Sequence, residues 1–169
     1  IYLDNSLSMS LPFSNDLTLF EKSKEELTKL IEVLPRNSKI QILDNNFSNK
    51  SLLYYNKDQA KDLLTELNIS NQHRDYQQVY NRQLNNLKEI NSDDKNILWI
   101  SDFQKNNESK LDVDTTINHY FSPITCIKTS NIFIDSIYLT TPFIRKDETY
   151  NLKLFIRNSG NEDLSNISV

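Results

Sequence analysis

The chain has 169 residues, enough for one domain, or for one domain and part of a second. A formal net charge of −4 without a long basic run excludes the clustered Lys/Arg surface on which nucleic-acid binding rests. Single Cys126 excludes an intrachain disulfide and a cysteine-based zinc cluster, and the lone glycine, Gly160, excludes the glycine-rich phosphate loops.

The opening "IYLDNSLSMS" reads as the end of a buried strand at 1–4 followed by a polar loop. Next, Leu19, Phe20, Ser23, Leu27, Leu30, Ile31 and Leu34 fall at helical spacing, with Asn15 or Asp16 as N-cap and Pro35 just past the end. A strand at 39–44, "KIQILD", precedes a short one at 51–55 that returns antiparallel through an Asn-rich turn. Residues 57–68 and 75–90 read as helices, and "NILWIS" at 96–101 is the most apolar strand of the chain. A further strand is expected at 117–125. Asn45, Asn46, Asn68, Asn91 and Asn106 stand where a glycine-poor chain needs left-handed turns.

Strands alternating with amphipathic helices predict an α/β fold: a Rossmann-like three-layer sheet, mostly parallel, with the 51–55 strand antiparallel at one edge. The strand at 1–4 is expected between those at 39–44 and 96–101. From Asn131 onward the pattern alternates with period two and no helix intervenes, as in "NIFIDSIYLTTPF" and "TYNLKLFIRNSG". Two domains are therefore expected, residues 1–127 and an incomplete β-sandwich at 131–169. "DLSNISV" reads as a last strand, and both ends of the chain read as cut. No apolar run approaches the roughly 20 residues of a membrane span.

Two loops carry the chemistry. Asp4-Asn5-Ser6-Leu7-Ser8 follows the first strand, and Ser101-Asp102-Phe103 follows "ILWI". Ligands of open α/β sheets bind outside the carboxyl ends of the strands. If the two strands are neighbours, Asp4, Ser6, Ser8 and Asp102 converge on a site made of oxygens alone, suited to Mg²⁺, Mn²⁺ or Ca²⁺ and not to zinc. The plain reading of the same residues is a capped polar turn. His73 and His119 read as surface or packing residues, Trp99 as core, and "EKSKEELTK" as the solvated face of the first helix.

Asp4-x-Ser6-x-Ser8 after a first strand, with Ser101-Asp102 at the end of a later one, resembles a von Willebrand factor A (vWA) domain. The phrases "YLDNSLSM", "ISDFQK" and "NIFIDSIYLTTP" are similar to bacterial aerotolerance-type (Bat-like) membrane proteins. The A-domain resemblance covers residues 1–127, and the rest resembles the start of an Ig/CARDB-like adhesion module. It implies a metal-ion-dependent adhesion site (MIDAS) in which both serines bind the metal and the aspartates help directly or through water. One coordination position stays open for the acidic group of a protein partner. It also implies a cell-envelope location, anchored by membrane segments outside this chain, and no enzymatic activity. The family's middle-loop threonine has no counterpart in "SNQHRDYQQV", where Asp75, Arg74 and Ser70 compete for the place. Asp75 would add a ligand, whereas Arg74 would neutralise the aspartates without metal.

Two other functions compete. One is a structural A domain with a degenerate, metal-free site. The other is a hydrolase, for instance an aspartyl phosphatase with Asp4 as nucleophile, but that chemistry wants a second aspartate where Ser6 stands. Because the Asp4 loop reads as exposed, removing the Asp4 carboxylate is expected to leave the fold intact.

Overall fold

Two helix starts in this chain are set by reciprocal side-chain caps. The Thr18 hydroxyl accepts from Glu21 N, and the Glu21 carboxylate accepts from Thr18 N, which fixes α1 at Leu19–Val33. The cap expected at Asn15 or Asp16 is thus Thr18. It alone of the three has a Glu three residues on, while Asp16 has Leu19 there. (Asn15 lies outside the described residues.) Asn56 and Gln59 make the same box for α2, Lys57–Glu66. Before α3, Tyr76–Lys88, the Asp75 carbonyl accepts from Val79 N and its Oδ1 from Gln77 N.

The computed structural model describes residues 1–14, 16–88, 90, 94–104, 111–126, 132–141, 143 and 146–160. Within them β1, Tyr2–Leu3, pairs in parallel with β2, Asn96–Ser101, and β2 with β3, Asn118–Pro123. On the far side of β1, Leu3 N donates to Leu43 O and Leu43 N to Ile1 O, both at 2.9 Å, a parallel bridge between Tyr2 and Leu43. Beyond that, Ile40 and Tyr55 form an antiparallel bridge. β1 therefore lies between the 40–43 segment and β2.

The strands expected at 39–44 and 51–55 are reduced to these single bridges. Residues Asn49–Leu52 form a 3-10 turn instead of a strand, because Ser48 O draws both Ser51 N and Ser51 Oγ into a local turn.

Alternation along the strands divides the core in two. Leu3, Ile42 and Ile100 pack with Leu19, Leu27 and Ile31 of α1 and Leu63 and Leu64 of α2. Tyr2, Leu43, Ile97 and Trp99 pack with Val79 and Tyr80 of α3. The chain is thus mixed α/β with a mostly parallel three-stranded sheet.

By its contacts the chain divides into two units, Ile1–Cys126 and Ile127–Val169. In the second, β4, Ile132–Leu139, and β5, Leu152–Asn158, form a separate antiparallel pair. A bulge between Ile134 and Ser136 inserts one residue. It keeps Ile132, Ile134, Ile137 and Leu139 opposite Asn158, Ile156, Leu154 and Leu152, so one face of the pair is almost wholly aliphatic. The last strand expected in "DLSNISV" and the boundary near 127–131 fall outside the described residues. Among the described residues no helix is long and apolar enough to cross a membrane.

Candidate metal centre

Three chain segments leave the sheet at its carboxyl edge side by side: Asp4–Ser8 after β1, Asp44–Phe47 after the Leu43 bridge, and Ser101–Phe103 after β2. Asp4 ties them together. Its Oδ1 accepts from Ser6 N and Asn45 Nδ2, each at 2.9 Å, and its Oδ2 accepts from Ser101 Oγ at 2.6 Å. Asn5 does similar work beside it. Its Oδ1 accepts from Asn45 N, and its Nδ2 donates to Asp44 Oδ2 and Asn68 O.

The start of this loop is consequently buried, with Asp4 5% exposed and Asn5 fully covered. That corrects the expectation of an exposed loop at Asp4: three donors turn inward to the carboxylate. A carboxylate has about four lone-pair directions. With three donors in place, Asp4 keeps one, so its part in holding a cation is mainly to fix the loop.

Ser6 and Ser8 are half-buried, Ser6 capping and Ser8 lying in a 3-10 turn at Leu7–Ser10, and their Oγ atoms stand 3.1 Å apart. Octahedral Mg²⁺ with oxygens at about 2.1 Å holds neighbouring ligands about 3.0 Å apart, and seven-coordinate Ca²⁺ at about 2.4 Å holds them about 2.8–3.4 Å apart. The serine pair, at 3.1 Å, therefore has the spacing of two neighbouring ligands of either ion. It is also the spacing of an ordinary hydroxyl hydrogen bond. Among the described residues no three His, Cys, Asp or Glu side chains group to hold a metal. A cation here depends on the hydroxyls.

Asp102 is half-buried and its Oδ2 accepts from Gln104 Nε2 at 3.0 Å. Burial, and then the negative charges of Asp4 and Asp102, push the Tyr76 phenol above its ordinary range. Tyr2 is raised in the same way, with burial again the largest cause. Both carboxylates thus act on the same two phenols.

The three middle-loop candidates take separate roles. Arg74 donates through Nε to Asn45 O at 3.0 Å, and its guanidinium stacks over Phe47 at 4.7 Å, so it does not bridge the aspartates. Asp75 turns Oδ1 to Gln77 N at 2.6 Å and caps α3. Ser70, 7% exposed, donates to Asn46 Oδ1 at 2.6 Å. Geometry joins Asp4 to Ser6 through the Ser6 backbone N–H, joins Ser6 to Ser8 through their hydroxyls, and ties the Asp102 loop to them through Ser101. It engages the Asp75 oxygen elsewhere.

Asn45, Asn46 and Asn68 are not left-handed; Asn91 and Asn106 lie outside the described residues. The side chains of Asn45 and Asn46 and the backbone carbonyl of Asn68 serve the network above. Among the described residues positive φ falls instead on Phe47 (52°), Phe103 (45°) and Asp147 (66°). For a bulky residue such a conformation costs roughly 1–3 kcal/mol and persists only where the surroundings enforce it. Two of the three sit in the loops that frame Asp4.

Sequence reasoning passed over Asn45, Tyr2 and Tyr76. Asn45 was within reach of the strand-end rule, since it follows "ILD" at the same edge. The two tyrosines gave no signal, because ring periodicity reports burial and not where a hydroxyl ends. Compared with protein-family models, with curated proteins and with solved structures, the chain matches none.

Proposed function

We propose that residues 1–126 are a vWA-type domain of an envelope protein of the aerotolerance type. In this reading the three-layer sheet presents a MIDAS-type site that captures an acidic group of a protein partner through Mg²⁺, or through Mn²⁺ or Ca²⁺, without chemistry on it. The observation that carries the reading is the 3.1 Å Ser6–Ser8 hydroxyl pair. It sits on a loop that Asp4 locks to the neighbouring Ser101–Asp102 loop by a 2.6 Å bond. Ser6 and Ser8 would hold the ion, Asp4 and Asp102 would balance its charge, and the partner carboxylate would complete its shell. Residues 131–169 would then begin an adhesion-like sandwich, and anchoring segments would belong to the longer protein.

A second reading is favoured by a specific observation: Asp4 already has three donors, and a network so satisfied holds its loops without a cation. This is the degenerate, structural A domain. An acidic peptide displayed on a surface separates the two. The first reading expects the chain to be retained in Mg²⁺ or Mn²⁺ and released by a chelator. Equal retention with and without the ion, or none in either state, leaves the structural reading.

A further inference from the structure

Tyr76 opens α3, yet its side chain belongs to the edge of the sheet. Its hydroxyl lies 3.0 Å from Ser101 Oγ. The direction of that bond follows from its neighbours. Ser101 has one hydroxyl proton, and the 2.6 Å contact gives it to Asp4 Oδ2, which as a carboxylate only accepts. Tyr76 must therefore donate to Ser101. Phe103 N also donates to Ser101 Oγ, at 3.2 Å. Ser101 is thus saturated, with one proton given and two received, and is fully buried.

The Tyr76 ring also lies 5.8 Å from that of Phe103, whose left-handed backbone sets the direction in which the chain leaves Asp102. One side chain thus supports both carboxylates. It reaches Asp4 through the Ser101 hydroxyl, and Asp102 through the enforced turn at Phe103. We infer that Tyr76 is a positioning residue for the cation site, holding Asp4 and Asp102 in register and coupling the site to the start of α3.

This rests on the cation reading above and adds what that reading lacks, a physical link between the site and a helix. Without the phenol hydroxyl, Ser101 gains a free lone pair and can rotate its proton away from Asp4. The Phe103 turn loses part of its support at the same time. Groups that orient ligands from behind change metal affinity by about 10–100-fold when removed.

The test compares Tyr76→Phe with Tyr80→Phe in the full chain. Tyr80 is a suitable control because its hydroxyl, equally in the α3 face of the core, accepts from Asp114 N at 2.6 Å and has no bond to the Asp4 network. The probe is Mn²⁺ alone, followed by calorimetry and by broadening of backbone amide signals in NMR. A second readout, without metal, is hydrogen exchange at the Phe103 amide.

Tyr76→Phe is expected to weaken Mn²⁺ binding about tenfold or more, and to speed Phe103 exchange. Tyr80→Phe is expected to change neither. If the parent chain binds Mn²⁺ and Tyr76→Phe binds it equally well, the positioning role is wrong and the cation reading survives. Equal loss in both variants reduces Tyr76 to a packing residue and overturns the inference. If the parent chain binds no Mn²⁺, the cation reading fails, and the inference fails with it.

Discussion

On one face of the sheet, Leu3, Ile42 and Ile100 meet α1 and α2 through side chains that are nearly all aliphatic; on the other, Tyr2 and Trp99 meet α3 through rings. Trp99 touches Tyr2, Tyr76 and Tyr80 at centroid distances of 5.6, 6.1 and 6.3 Å. The difference matters because an aliphatic side chain ends within the core, whereas a tyrosine carries a polar tip out of it. Tyr2 OH reaches Asn45 Oδ1 at 2.7 Å, and Asn45 Nδ2 then donates to Asp4. Tyr76 reaches the other Asp4 oxygen through Ser101. Each oxygen of one buried carboxylate is thus joined to the ring-built face and none to the aliphatic one. The first face supplies stability and the second joins stability to the site.

That contrast can be broken from either side. A large effect, confined to stability, is expected from Ile31→Ala on the aliphatic face, where the residue is fully buried. Removal of its side chain should cost about 2–5 kcal/mol in urea unfolding. Cation affinity of the folded fraction should stay at the parent value. A coupled fall in affinity would show that the faces are not separate. An effect on stability of comparable size, with a complete effect on the site, is expected for Asp4→Ala. It leaves the donors Ser101 Oγ, Asn45 Nδ2 and Ser6 N without their acceptor, at about 1–3 kcal/mol for each one that stays buried and unpaired. Unfolding midpoint and Mn²⁺ binding should fall together; unchanged stability would mean that water replaces the carboxylate and that the network is looser than its distances imply.

Much of this was legible in the chain, unevenly so. The strand at 96–101 was read with the ends it has, because "NILWIS" is apolar on both faces, the mark of a central parallel strand. The three helices were readable from periodicity, although the start of α1 was not. Several Asn, Asp and Ser residues stand near it, and only the pairing of Thr18 with Glu21 decides among them. The 51–55 segment failed for a related reason: "SLLYY" has strand-forming residues, but the hydroxyl and N–H of its first residue, Ser51, both turn back to Ser48 O.

Within the site, Asp4, Ser6 and Ser8 were visible because they share one loop, and Ser101–Asp102 because both loops leave neighbouring strand ends. Burial of Asp4, the course of Arg74 over Phe47 and the reach of Tyr76 depend on side-chain direction across the fold. Spacing along a single chain does not encode it.

The most direct measurement is calorimetric titration of the intact chain with Mg²⁺ and Mn²⁺, beside the Ser6→Ala and Ser8→Ala variants. These remove the hydroxyl pair but leave the three donors of Asp4 in place, since Ser6 contributes to that carboxylate through its backbone N–H. Saturable binding of one ion by the parent chain, lost in both variants at unchanged unfolding midpoints, is the result the account predicts. Absence of binding by the parent chain, or equal binding by the variants, would contradict it and leave the Asp4 network as a structural lock between three loops.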